Sequence, residues 1–189
     1  VLAAAIMLRV MAGPHSWDNT SLEAAPADYP ARCGDGIAGL RVAYSPDLGH
    51  AQVDPDVANL VENAARAFEN LGVTVEEVTT PFGPAGPELI RFFWAAHVLR
   101  YAQYLPEWEE KMDPGLVACI RAADRYSAED YMNMRQRKLE YVYSVHRWFD
   151  DWDLLLTPAV SVAAFPADQL QPTHWPQHDW DWTVWAEFS

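Results

Sequence analysis

The sequence predicts an α/β fold, a mixed and mostly parallel sheet with covering helices, on three observations. Two strand-like runs, 40–45 (LRVAYS) and 73–78 (VTVEEV), flank a helical stretch with short joints, the pattern of a βαβ unit. A later run, Asp153-Leu-Leu-Leu-Thr-Pro158, holds three leucines in succession. An apolar strand without alternation suits a sheet covered on both faces. Pro158 has no N–H for a ladder, so it ends the strand and releases a loop. In α/β sheets the loops beyond the carboxyl ends of strands are where ligands bind.

The elements follow in order. Ala3, Ile6, Met7 and Val10 keep helical spacing, which predicts a helix over 1–12 entering a core. No capping residue precedes it and no polar tail closes the far end, so the chain reads as a piece of a longer protein. Gly13-Pro14 stops the helix, and 15–39 is a long connection rich in Pro, Gly, Asp and Ala. After the strand at 40–45 comes a turn-like segment, then Asp54-Pro55, an N-cap followed by proline at the first helical position. Val57, Leu60, Val61, Ala64, Ala65, Phe68 and Leu71 fall on one helical face, and Gly72 suits the left-handed position past its end. The second strand should join the first through a right-handed crossover.

Beyond a Pro/Gly loop at 79–87, residues 89–101 are apolar nearly all round, which predicts a helix buried on most sides. A shorter helix is expected over 114–123. Ser127 caps a long one, with Glu129 and Asp130 in its first turn and a stripe of Met132, Leu139, Val142, His146 and Phe149. His146 on that stripe reads as a hydrogen-bonded core histidine. With no internal repeat, 1–189 reads as a single α/β region.

The 189 residues are 50% hydrophobic and carry 13 Lys plus Arg against 27 Asp plus Glu, a formal charge of −14. Neutralising phosphates needs clustered cations, so nucleic acid is disfavoured as a partner, and so is an anionic membrane. No apolar run approaches the ~20 residues that span a bilayer. Cys33 and Cys119 stand apart without a metal or redox spacing, which fits two reduced thiols in a cytoplasmic protein. No cofactor is expected. His174, His178, Asp179 and Asp181 invite a metal reading, but Pro176 between the histidines denies them a helical i, i+4 pair. A solvated aromatic loop is the simpler reading. Arg135, Arg137 and Lys138 read as a solvated helix face paired with nearby acids.

GLRVAYS, DPDVANLVENAARAFENLGVTVEEV, YSAEDYMNMRQRK and DLLLTPAVSVAAFP, in that order, resemble the amidase signature hydrolases. LAAAIMLRVMAG is similar to the helix that closes the signature portion of that family, and the resemblance runs from Leu2 to about Pro166. It implies hydrolysis or transfer of amides by a Ser–Ser–Lys triad, with backbone N–H groups holding the oxyanion. This chain has two lysines, Lys111 and Lys138, no adjacent serines and no Gly/Ser-rich loop, so no catalytic residue is carried over. The expectation is a central-to-C-terminal part of an amidase-signature fold, incomplete and inactive by itself, from a hydrolase acting on a small carboxamide.

What the resemblance carries over is a wall. Thr157, Ala159, Val160 and Phe165 match the segment that lies near the family's substrate pocket; packing in the core is the alternative reading for the same four. Ser161 has no histidine or lysine close in sequence to activate it. Trp175, Trp180, Trp182 and Trp185 either help to close the pocket or pack on parts of a parent protein, in which case this end should be mobile or pair with a second copy through exposed apolar surface. Two alternatives remain: a piece of the amidotransferase enzyme that belongs to the same family, and a non-catalytic binding or assembly module on a decayed scaffold.

Overall fold

The structure is a computed structural model and describes residues 1–188. It divides into two compact units, Val1–Gly39 and Leu40–Ser189. In the first unit, helix α1 (Leu2–Met11) is followed by the short α2 (Tyr29–Arg32). Arg9 on α1 pairs with Asp28 just before α2, at 3.3 Å. The helix forms where periodicity placed it, but its apolar side is not buried: only Ala5 is, while Met7 and Val10 are 62% and 79% exposed. Helical spacing fixes which residues share a face; it does not supply the surface that covers them.

The α/β architecture lies in the second unit. Strands β1 (Arg41–Tyr44), β2 (Thr74–Glu77) and β3 (Leu154–Leu156) form a parallel sheet in the order β2-β1-β3. Val42 pairs with Val75 on one side and Leu154 on the other. Val42 and Ala43 are fully buried in this central strand. Helix α3 (Pro55–Glu69) links β1 to β2, with Asp54 capping it by accepting from the Asp56 N–H at 3.1 Å. Of the face read from the sequence, Val57, Val61, Ala65 and Phe68 turn inward, whereas Leu60 and Leu71 stay exposed. Gly72 ends the unit at φ +81°, a left-handed conformation that glycine alone adopts freely.

Helix α4 (Ala85–Val98) starts four residues earlier than expected and continues as a 3₁₀ turn over Leu99–Tyr104. The short α5 (Leu105–Trp108) then leads to α6 (Pro114–Ala123), capped by Asp113. Ala95, Val98, Cys119, Ile120 and Ala123 form the core between α4 and α6. Small residues at most of these positions let the backbones approach. α4 is therefore buried along one stripe only, with Trp94 45% exposed, not on most sides as its composition suggested.

Ser127 and Asp130 form a reciprocal capping box at the start of α7 (Ala128–Trp148). The stripe expected to be buried faces outward: Met132 and Leu139 are 61% and 60% exposed, and His146 is exposed as well, so it is no core histidine. The partly buried arc includes Met134, Tyr141, Val145 and Trp148. Phe82 meets Tyr141 and Trp148 edge-on at 6.2 and 5.4 Å, and these aromatic contacts decide which arc turns inward.

β3 is held at its start by Asp153. The Asp153 carboxylate accepts from the Arg41 N–H at 2.8 Å, and its own N–H donates to the Arg41 carbonyl at 3.0 Å. Coverage on both faces is not met among the described residues, since Leu154 is 42% exposed. β3 is an edge strand of this sheet, so its outer side has no neighbour in the ladder to shield it.

Candidate functional site

The ladder runs one bond past β3: the Ser45 N–H donates to the Leu156 carbonyl at 3.0 Å. Thr157-Pro158 then turns the chain at the carboxyl end of the sheet, with Pro158 fully buried. The next residues are pinned from two sides. The Ser161 N–H donates to the Trp185 carbonyl at 2.9 Å, and the Ser161 carbonyl accepts from the Asp54 N–H at 2.8 Å. This fastens the loop to the cap of α3 and to the tryptophan-rich tail.

The four residues expected to form a wall have different surroundings. Thr157 is half-buried, and its Oγ1 is shielded without a hydrogen-bond partner. Ala159 is exposed and Val160 half-buried. Phe165 packs edge-on against Trp185, with ring centres 5.3 Å apart. Ser45 and Ser161 are fully buried, and their hydroxyls also lack partners. Three unpartnered hydroxyls thus belong to the segments leaving β1 and β3. Ser45 escapes a reading of the sequence, because nothing local says which serine will be left unsatisfied.

The tryptophan-rich tail folds back within this unit. Trp175 is buried and donates its indole N–H to the Val184 carbonyl at 2.6 Å; Trp185 donates to the Leu170 carbonyl at 3.1 Å. Trp182 meets Trp94 edge-on at 5.9 Å, and Trp180 packs on the α4–α6 core. Asp181, 2% exposed, accepts from Arg91 on α4 and from both the backbone and the hydroxyl of Thr183. Of the residues that invite a metal reading, Asp181 is thus engaged by Arg91 and Thr183, and Asp179 is exposed. His178 Nδ1 accepts from the backbone N–H groups of Trp180 and Asp181, and His174 lies 3.2 Å from the Asp54 carboxylate.

A pocket of about 300 Å³ lies between α4, α7, the loop after β1 and the end of the chain. Leu89, Ile90, Phe93, Tyr141 and Val142 give it apolar walls, and His50 and Glu187 form its polar corner. None of Thr157, Ala159, Val160 or Phe165 lines it. Burial pushes the Glu187 carboxyl above the usual range, against the pull of His50. Burial likewise raises the Tyr141 phenol. The Cys119 thiol is pushed up to about 11 by burial and by Asp181, which leaves it protonated and unreactive at neutral pH. Both lysines rest on aromatic faces: Lys111 Nζ is 4.8 Å from the Trp108 ring centre and Lys138 Nζ 5.2 Å from that of Phe93. Among the described residues no helix is long and apolar enough to cross a membrane.

The parallel sheet, the order of its helices and the Thr-Pro turn define an α/β fold, and comparison with known proteins gives the family. The Amidase family model matches residues 1–189, and the chain belongs to that family. It is 30% identical over 172 residues to an acylamidase of Rhodococcus erythropolis, a match covering 89% of this chain and 36% of that protein. It is 27% identical over 197 residues to the A component of the glutamyl-tRNA(Gln) amidotransferase of Streptococcus equi subsp. zooepidemicus, covering 87% of this chain and 39% of that protein. The fold is similar to that of a bacterial aryl acylamidase of the amidase signature family (TM-score 0.80, 20% identity, 98% of this chain and 41% of that one). It is also similar to 6-aminohexanoate cyclic dimer hydrolase (TM-score 0.74, 18% identity, 96% and 40%). The chain spans 36% to 41% of the length of these proteins.

Proposed function

We propose that this chain is the binding side of an amide-hydrolysing enzyme, whose nucleophile and base are supplied by residues outside it. The observation that carries this is the match of the Amidase family over residues 1–189 in a chain where no two serines adjoin and both lysines sit on aromatic rings. Cleaving an amide requires an activated nucleophile, a proton for the leaving nitrogen and donors for the developing oxyanion. None of these groups is assembled around Ser161, whose hydroxyl is buried and unpartnered.

What the chain contributes is placement. The Thr157-Pro158 turn stands at the carboxyl end of a parallel sheet, and its loop is fixed through Ser161 to Asp54 and Trp185. Thr157, Ala159, Val160 and Phe165 are the proposed wall for a small carboxamide. The buried Thr157 Oγ1 is the one polar side-chain group among these four, and it has no partner among the described residues. The acylamidase relative, at 30% identity over 172 residues, favours a stand-alone amidase over the amidotransferase reading.

Two measurements test this. The purified 189-residue chain should not be labelled by a serine-reactive fluorophosphonate, whereas the full gene product should be labelled and should release amine or ammonia from a simple carboxamide. Labelling of the chain alone, or a full gene product inert towards amides, overturns the proposal. Ammonia release confined to glutamine with a charged tRNA acceptor would select the amidotransferase reading.

A further inference from the structure

Between α3 and β2 lies a pocket of about 180 Å³ that shares no residue with the wall proposed above. We infer that it is a binding site for a small primary alkylammonium ion, held by Glu69, Glu77 and the Tyr44 phenol oxygen. Three observations carry this beyond an acidic stretch of surface.

The first is how the fold gathers these groups. Tyr44 and Glu77 are the last residues of β1 and β2 and are register partners in the parallel ladder, so their side chains stand side by side on one face. Glu62, Arg66 and Glu69 follow at i, i+4 and i+7 on α3, which puts them on one stripe of the helix that lines the same pocket. Buried Ala65 and half-buried Val75 make its apolar floor. The pocket thus lies at the carboxyl end of a parallel sheet, where α/β folds take their ligands.

The second is the phenol. Tyr44 is 7% exposed and lines this pocket. Its hydroxyl finds no hydrogen-bond partner among the described residues, and unlike those of Ser45, Thr157 and Ser161 it is not sealed from solvent. Burial first, then Glu62 and Glu77, push the phenol above the usual tyrosine range, against Arg66, so it stays protonated at neutral pH. Its hydrogen can go to a carboxylate, which leaves the oxygen lone pairs for an N–H donor. A polar side chain this deeply buried without an internal partner marks a place for an outside one.

The third is the balance of charge. Arg66 is bound to Glu62 and Asn63, whereas Glu69 and Glu77 have no ion-pair partner among the described residues. Two negative charges are left over at the rim, which favours a cation. No three acidic, histidine or cysteine side chains among the described residues converge as metal ligands do, so the fitting cation is a polyatomic one. An ammonium head offers three donors, one for each carboxylate and one for the phenol oxygen, and an alkyl stem meets Ala65 and Val75. A volume of about 180 Å³ limits that stem to a few carbons.

The test is a chemical-shift titration of the ¹⁵N-labelled 189-residue chain, at constant ionic strength, with n-propylammonium, tetramethylammonium, which has no N–H, and uncharged n-propanol. n-Propylammonium should bind saturably and about fivefold or more tighter than tetramethylammonium, the equivalent of one net hydrogen bond. n-Propanol should not bind. Tyr44→Phe should bring the two cations to one affinity. Glu77→Gln should weaken both by about threefold. Glu76→Gln removes the same charge one residue away, from a side chain paired with Arg41, and should leave both affinities unchanged. Glu76 and Glu77 are both exposed, so this pair of variants decides even if Tyr44→Phe does not fold. Absence of saturable binding, equal affinity of the wild-type chain for the two cations, or selectivity that survives in a folded Tyr44→Phe variant overturns the inference. So does a loss in Glu76→Gln as large as that in Glu77→Gln, which would mean that the net charge of −14 gathers cations without a site. None of these readouts depends on amide hydrolysis, so the site and the proposed activity fail independently.

Discussion

Asp54 makes three contacts at once. Its carboxylate accepts from the Asp56 N–H, its own N–H donates to the Ser161 carbonyl at 2.8 Å, and its Oδ2 lies 3.2 Å from His174 Nε2. The cap is legible in the sequence, because Asp-Pro before an apolar periodic run is a local signal. The other two contacts join segments far apart in the chain, and no local pattern announces them. The same limit explains the site. Thr157 is reached through a resemblance, whereas the unsatisfied Ser45 hydroxyl and the His50–Glu187 corner arise only when distant segments meet. Asp54→Ala should lower stability by about 1–2 kcal/mol, the cost of a lost cap. Asp54→Ser should cost less than about 1 kcal/mol, because serine caps as well and the exposed His174 contact is screened. Urea midpoints for the two variants check the order; a serine variant as unstable as the alanine one would show that His174, not the cap, is the larger contribution.

At the scale of elements, the βαβ unit is readable because each of its signals is local: β-rich runs, a cap, a glycine at the far end. The long helix α7 shows where such reading stops. Its outward arc carries aliphatic residues at good helical spacing, and its inward arc carries Tyr141 and Trp148, so periodicity alone does not choose between them. The start of α7 is less ambiguous. The Asp130 carboxyl is held below the usual aspartate range by the Ser127 hydroxyl and then by the Ser127 N–H. A lowered acid contributes stability that is present above its unfolded pKa and is lost as pH falls through the folded value. The cap should therefore weaken as pH drops below about 4. Ser127→Ala should cost about 1 kcal/mol at neutral pH. Asp130→Asn should flatten the acid limb of a thermal-unfolding series, and an unchanged limb would remove the carboxylate from this role.

For the molecule as a whole, the α/β class and the family resemblance are legible in the sequence, while the burial of two helices and the fate of the tail are not. Trp175, Trp180, Trp182 and Trp185 look too apolar for a loop, and they are, because they close over α4 and over the segment after β3. Composition indicates that these rings need cover; only the tertiary fold says that Arg91, through Asp181, helps to bring the cover from within the same unit.

The strand order β2-β1-β3 carries a consequence in time. β1 alone is bonded on both sides, whereas β2 and β3 each lend one edge to it. Opening β1 requires two neighbours to part, so its amide hydrogens should exchange by the deepest opening of this unit, and those of β2 by shallow fraying. In deuterium-uptake measurements the peptide covering Arg41–Tyr44 should be the last to label and Thr74–Glu77 much earlier. Equal rates would mean that the three strands open together. If Arg41–Tyr44 labels last, this four-residue strand sets the lifetime of the folded unit.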